Sequence, residues 1–366
     1  MVEQPVRAAL VGAGLVGQVA HLHTMTQEDS PIVLAGVVDA SLSRAREIAA
    51  QHGVPAATSI DGLPRAAFDA VVIAAPDPAH EPLVLGAVER GLHVFAEKPL
   101  GLTPAECDRM VASARSSGLV CQVGYMKRFD PVGRVLLDDL AARDSRITGV
   151  GIEVRDCDAA PFVAGFPFVT AGDDVPRELI ADGQARFTEV VEEVLGRPAD
   201  ADERTAYGSF TSSIIHDLNF ARMLVPGDVA VEAGFMSMAG SHVGLHLRTS
   251  DGALIRMSHI QDTTIADYEE RFTIYTTKGV YELVFPAPYL LHETTTLRRI
   301  DLKDRFERSE ILMLNDSTDE AFLLELHAFA RAIRENRSTP LENSFEDASE
   351  DIRLLGIAMR MAAGTE

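Results

Sequence analysis

Cysteine is scarce in this 366-residue chain: Cys107, Cys121 and Cys157 are an odd number without CxxC spacing. That arithmetic argues against a disulfide framework or a cysteine zinc site, and a reducing compartment is expected. Basic residues are also in deficit, 33 Lys plus Arg against 55 Asp plus Glu, for a net charge of −22. So acidic a chain repels nucleic acid and anionic lipid, and neither is expected as a partner. No apolar run approaches the roughly 20 residues that cross a bilayer, and MVEQPVRAALVGAG has no basic segment leading into an apolar signal core. The expectation is a cytoplasmic protein without membrane attachment. No HExxH spacing occurs, and no metal is assigned.

What is present begins with VRAALVGAGLVG, a buried strand breaking into a glycine turn. Gly12, Gly14 and Gly17 form GxGxxG, and a helical segment follows. A second apolar strand, IVLAGVVD, ends in Asp39, 22 residues past Gly17. Gly12 permits the tight turn, Gly14 lets backbone approach a pyrophosphate, and Gly17 lets helix and strand pack closely. N–H groups around Leu15 and Val16 then face the phosphates. Asp39 accepts from ribose hydroxyls and repels a 2′-phosphate, which favours NAD; Arg44 keeps NADP open.

Strand-like runs continue at 70–74, 92–96 and 119–123, separated by helical segments near 79–90 and 103–117. The βαβ pattern predicts a parallel doubly wound sheet with its ligand edge at the strands' C-terminal ends. Ala75, Pro76, His80, Glu97 and Lys98 all follow strands at that edge and join the cofactor-binding candidates. Lys98 is held in extended geometry by Pro99 and is the leading acid or base. His21 and His23, in the first crossover helix, are read as structural.

Farther on, SSIIHDLNFARML interrupts an apolar helix with His216. Spacing of three and four residues places Ser209, Ser212, Ser213, Asn219 and Met223 on its face, a stripe of small uncharged groups that suits a cavity wall.

With GAGLVG, Asp39, AEKPL, VGYMKRFDP and SSIIHDLNFAR in order, the chain resembles the Gfo/Idh/MocA oxidoreductases over essentially its full length. The resemblance implies a Rossmann domain at 1–125, with a C-terminal helix at about 344–362 packing back on it. It also implies an α+β domain at 126–343 on a large, mostly antiparallel open-faced sheet. Strand-like segments at 147–156, 229–238, 243–249, 253–260, 270–277 and 279–285 agree, with turns at Asp251-Gly252 and Lys278-Gly279. An uncovered sheet face predicts a homodimer or homotetramer.

By resemblance, Lys98 contacts cofactor and substrate hydroxyl, Lys127 and Arg128 lie near the substrate, and His216 holds or deprotonates the reacting hydroxyl. Tyr125 and Ser212 join the substrate-binding set; Tyr289 and His292 are further pocket candidates. Ser212 stands where the family has an Asp, and a serine cannot stabilise an imidazolium by charge. Asp217 is expected to point about 100° away from His216. The segment 157–207 looks long for the family, with one helix around 175–195. Its acids, Asp173, Asp174, Glu178 and Asp182 among them, are expected to form a solvated face. The implied activity is hydride transfer between NAD (NADP possible) and a hydroxyl or ketone of a sugar, cyclitol or related molecule. Two alternatives stay open: a redox-neutral sugar-modifying enzyme with tightly bound NAD, or a nucleotide-binding regulatory protein without turnover.

Overall fold

The computed structural model describes residues 4–157, 159–170, 174–225, 227–290, 293–302, 308–313, 319–336 and 343–366. Two compact units emerge. One comprises Met1–Tyr125, Gly165–Val190 and Phe322–Ile352; the other comprises Met126–Ala164, Val191–Ala321 and Arg353–Glu366. The first unit runs to Tyr125 and also takes in 165–190 and much of the stretch after 321.

The first unit is built on β1 (Val6–Val11), β2 (Ile32–Val38), β3 (Ala56–Ala57), β4 (Ala70–Ile73), β5 (His93–Glu97) and β6 (Cys121–Gly124). All neighbours pair in parallel, in the order β3-β2-β1-β4-β5-β6. The strands are short and nearly all apolar because helices cover them. Their side chains (Ala8, Leu10, Val37, Val72, Phe95) pack with Leu326 and Phe329 of the helix Ala321–Arg334. The strand order reverses between β1 and β4, which is where such sheets open a ligand crevice.

Local signals fix the crossovers. Ser41 caps the helix Leu42–His52, which ends at left-handed Gly53. Thr103 and Glu106 form a capping box for Pro104–Ser117, which ends at Gly118.

The second unit carries β7 (Ile147–Asp156), β8 (Val229–Met236), β9 (His242–Thr249), β10 (Leu254–Gln261), β11 (Glu269–Thr276), β12 (Val280–Phe285), β13 (Thr296–Leu302) and β14 (Arg308–Met313). Their order is β14-β13-β12-β11-β7-β10-β9-β8, antiparallel except for β7 with β10. Period-two alternation buries Val150, Ile152, Phe272, Ile274, Tyr281 and Leu283 on one face. The opposite face is charged. Arg155, Glu269, Arg271, Glu282 and Arg298 form a ladder of ion pairs across β7, β11, β12 and β13. No helix among the described residues is long and apolar enough to cross a membrane.

Candidate functional site

The glycine turn leaves β1 at the switch point. Gly12 has φ +91°, and a Cβ there would lie 2.5 Å from the Ala75 nitrogen; one on Gly17 would lie 2.2 Å from the Gly12 oxygen. Gly14 is different: a Cβ built on it meets nothing within 4 Å. Two glycines therefore serve the fold, and the third leaves backbone open on the side where a phosphate would approach. Leu15, next in the chain, is 36 % exposed. The turn fits the pyrophosphate of a dinucleotide.

Asp39, at the end of β2, is buried. Its carboxylate accepts from the N–H groups of Ala13 and Ser41, each at 2.8 Å, and pairs with Arg44 at 3.2 Å. Arg44 Nη1 reaches both oxygens, at 3.3 and 3.2 Å, so the roughly four acceptor positions of the carboxylate are taken and a ribose hydroxyl would replace one of these longer Arg44 bonds. Arg44 is held against this acid, its side chain mostly buried. Asp174 is exposed, as expected of a solvated acidic face, and it also accepts from the Ser41 hydroxyl at 2.6 Å and from the Ser43 N–H at 2.8 Å. Asp173 lies outside the described residues.

At the end of β5, Lys98 is half-buried, its peptide to Pro99 is cis, and its N–H donates to Glu97 Oε2 at 3.2 Å. Two neighbours expected to touch cofactor are instead taken up by the protein. His80 is fully buried, with Nδ1 2.7 Å from the Pro99 carbonyl and Nε2 2.8 Å from the Ala75 carbonyl, so it links the loops after β4 and β5. Glu97 turns inward, its Oε1 2.6 Å from His21 Nε2. Desolvation works to raise the Glu97 carboxyl, yet the bond to His21 and the charges of His21, Lys98 and His80 hold it below its ordinary value. Glu325 completes a group whose donor atoms all lie within 4.8 Å of one another. Burial, together with the Glu97 charge, pushes Glu325 well above the carboxylate range, and neither of its oxygens has a hydrogen-bond partner among the described residues.

In the second unit the helix Ile215–Leu224 follows a π-helical stretch, Phe210–Ile214. Ser212, Ser213, His216 and Met223 are exposed or half-buried, whereas Ser209 and Asn219 are buried. The expected polar stripe is therefore accessible only along its middle. The extra residue of the π turn shifts the face that simple helical counting predicts.

The basic pair departs from its expected role. The Lys127 ammonium is buried, 2.7 Å from Asp217 and bonded to Glu270, with the Phe285 ring 5.3 Å away. Burial opposes that charge, but Asp217 and Glu270 keep the lysine pKa raised. Two carboxylates share one ammonium, and burial plus Glu270 push Asp217 well above its ordinary value. Tyr268 donates to Glu270 at 2.6 Å. Arg128 donates from Nε and Nη2 to the Asn219 carbonyl, at 3.1 and 2.9 Å. Tyr125 is 1 % exposed, with burial and Asp351 raising its hydroxyl pKa, so it presents nothing to a substrate. Tyr289 is half-buried with φ +70°, and His292 lies outside the described residues. Glu325 and Glu270 escaped the sequence reading, and His21 and Asp174 were named there without their partners. The one available signal was an acid, Asp217, inside an otherwise apolar helix face, which demands a buried partner.

Comparison with known proteins bears on the nucleotide-binding module directly. Residues 6–125 match the GFO_IDH_MocA family model, described as "Oxidoreductase family, NAD-binding Rossmann fold". "Inositol 2-dehydrogenase 1" of Saccharopolyspora erythraea is 42 % identical over 130 residues, 34 % of this chain and 38 % of the relative. "scyllo-inositol 2-dehydrogenase (NAD(+))" of Bacillus subtilis is 32 % identical over 131 residues, 35 % of this chain and 38 % of the relative. The matched stretch thus spans little over a third of these curated relatives. The solved structure of KijD10, a 3-ketoreductase from Actinomadura kijaniata in complex with TDP-benzene and NADP, superposes with TM-score 0.72 at 17 % identity. It covers 98 % of each chain, a likeness of fold. With the glycine turn, Asp39 and Lys98 on the edge of a parallel sheet ordered as above, residues 6–125 form the NAD-binding Rossmann module that the Gfo/Idh/MocA oxidoreductase family model describes.

Proposed function

We propose that the chain is an NAD(P)-dependent dehydrogenase or reductase acting on the CH–OH or keto carbon of a sugar, cyclitol or related small molecule. The observation that carries the reading is the ligand edge itself. Open backbone at Gly14, the acid Asp39 and the half-buried amine Lys98 follow β1, β2 and β5 on one edge of the sheet. The names of the relatives, inositol dehydrogenases, support a cyclitol or sugar substrate.

A bound nicotinamide would supply the acceptor or donor for the hydride. Gly12, Gly14 and Gly17 would hold the pyrophosphate on backbone N–H groups, and Asp39 would receive ribose hydroxyls. Lys98 would take the hydroxyl proton during oxidation and return it during reduction, while its charge stabilises a developing alkoxide. His216 is the second proton-handling group we propose, with Ser212 and Ser213 as polar neighbours for substrate. Lys127, Arg128 and Tyr125 are left out of the substrate set because their polar atoms serve the fold. Three buried cysteines without disulfides support a reducing, cytoplasmic setting. We include self-association through the charged sheet face, to be read from sedimentation at two salt concentrations.

The test is a panel of cyclitols, sugars and ketoses offered with NAD or NADP, followed by absorbance of the reduced nicotinamide. Net cofactor reduction with a cyclitol or sugar is expected. Tight dinucleotide binding without turnover on any compound would replace this reading with the regulatory one. Altered product without net cofactor reduction would replace it with the redox-neutral one.

A further inference from the structure

We propose that Asp174 is a second acid at the adenosine-ribose end of the nucleotide site and makes the chain select NAD over NADP. The inference rests on the dinucleotide reading above and adds a residue from outside the glycine fingerprint.

Asp174 sits at the start of the helix Leu42–His52, directly after Asp39. Its Oδ1 accepts from the hydroxyls of Ser41 (2.6 Å) and Ser43 (2.9 Å), and its Oδ2 accepts from the Ser43 N–H (2.8 Å). Those bonds lower its pKa to about 2, so it is ionised at neutral pH. Asp174 thus caps the Ser43 N–H of a helix whose Arg44 N–H is already received by Ser41 at 3.1 Å, and in doing so it places a full negative charge two residues after Asp39. It is not a local contact, since it arrives from 131 positions beyond Ser43.

The segment that delivers it is anchored at the glycine turn as well. Val169 and Gln18 exchange two hydrogen bonds, at 2.8 and 2.9 Å, and Gln18 also donates to the Ala13 carbonyl at 2.8 Å. Phe166 meets the His23 ring edge-on, 6.1 Å between centroids. Asp174 is thus held on the same edge as the glycines and Asp39.

A 2′-phosphate carries about −1.5 to −2 charges near pH 7 and needs several donors. Here the three donors that follow Asp39 are occupied by a carboxylate. The nearby cation, Arg44, already pairs with Asp39 at 3.2 Å. Two acids against one guanidinium leave a net negative charge where the phosphate would sit. NAD brings only a hydroxyl to that place and needs an acceptor, which Asp39 provides.

The experiment titrates NAD and NADP into the full-length wild type and the variants Asp174→Asn, Asp39→Asn and Glu178→Gln, using calorimetry without substrate. The wild type is expected to bind NAD more tightly. Asp174→Asn should shift the ratio of the two dissociation constants toward NADP by about tenfold, with NAD affinity showing that the fold is intact. Glu178→Gln, an exposed acid four positions on, should leave the ratio unchanged, which separates a local effect from net charge. A wild-type preference for NADP overturns the inference. So does a ratio in Asp174→Asn within twofold of wild type while Asp39→Asn moves it; in that outcome the dinucleotide reading survives. Binding of neither dinucleotide by the wild type removes both.

Discussion

His21 Nε2 meets Glu97 Oε1 at 2.6 Å in the interior of the nucleotide-binding unit, one residue before Lys98 in the chain. The two are packed among Phe95 and Phe322, whose rings lie edge-on to the imidazole. Glu325 stands beside them with its proton favoured by burial and by the Glu97 charge. A carboxyl whose folded pKa is raised stabilises the fold below the unfolded value near 4.5, and that contribution is lost as the pH rises through the folded value.

Glu325→Gln should therefore flatten the fall in stability toward alkaline pH. The gain over wild type should grow by roughly 1.4 kcal/mol for each pH unit in which the unfolded carboxyl is ionised and the folded one is not. Denaturant midpoints at about pH 5 and pH 8 check it. Parallel pH profiles for the two proteins would show that Glu325 keeps its charge when folded.

The Lys127 cluster gives an opposite sign. Removing the ammonium with Lys127→Met leaves Asp217 and Glu270 buried without a counter-charge, which should cost about 3–5 kcal/mol. Adding Asp217→Asn should restore part of that loss, because one carboxylate has gone. A double-mutant cycle on urea midpoints measures the coupling. Additive losses would mean that the three groups act independently.

Gly12 and Gly14 separate folding from binding. Gly12→Ala forces a Cβ into the Ala74–Ala75 backbone at φ +91° and should lower the melting temperature. Gly14→Ala meets nothing in the fold. It should melt near wild type while losing dinucleotide affinity, since the methyl projects where backbone must approach phosphate. Unchanged affinity would move the phosphate site off this turn.

Lys98→Ala is expected to lower turnover by about 10²–10⁴ while leaving the dissociation constant of NAD within a few fold. Single-turnover absorbance and calorimetry measure the two separately. An active Lys98→Ala protein would transfer the acid–base role to another group, with His216→Ala as the next variant.

How much of this was legible in sequence depends on how far the determining partner lies along the chain. The glycine turn, Asp39 and the strand ends were readable because their constraints are local: a turn, a strand period, a short spacing. Lys127 was misread because its partners, Asp217 and Glu270, stand 90 and 143 positions away. A lysine in a loop carries no mark of burial. His21 is structural, as read, but its partner was not legible, because the π-helical stretch Gly17–Leu22 alters the register in which it faces Glu97. Asp174 was one acid among many until folding brought it to Ser41 and Ser43. The character of the sheet's outward face was not legible for a different reason. Alternation reveals which residues face out, but not that Arg155, Glu269, Arg271, Glu282 and Arg298 fall into one ion-pair ladder.

The remaining departure, Ser212 in place of an acid, can be tested by restoring the charge. Ser212 is exposed and lies in the π-helical stretch just before the helix of half-buried His216. Ser212→Asp should therefore be tolerated by the fold. A carboxylate placed about one turn away favours the protonated imidazole, so the His216 titration midpoint should move upward relative to wild type, as read by NMR. If His216 carries the substrate proton, the acid limb of the kcat/KM profile should move with it. A midpoint that moves while the kinetic limb stays fixed would assign that limb to Lys98 and leave His216 to orient the substrate. A midpoint that does not move would mean that the π turn carries position 212 away from the imidazole.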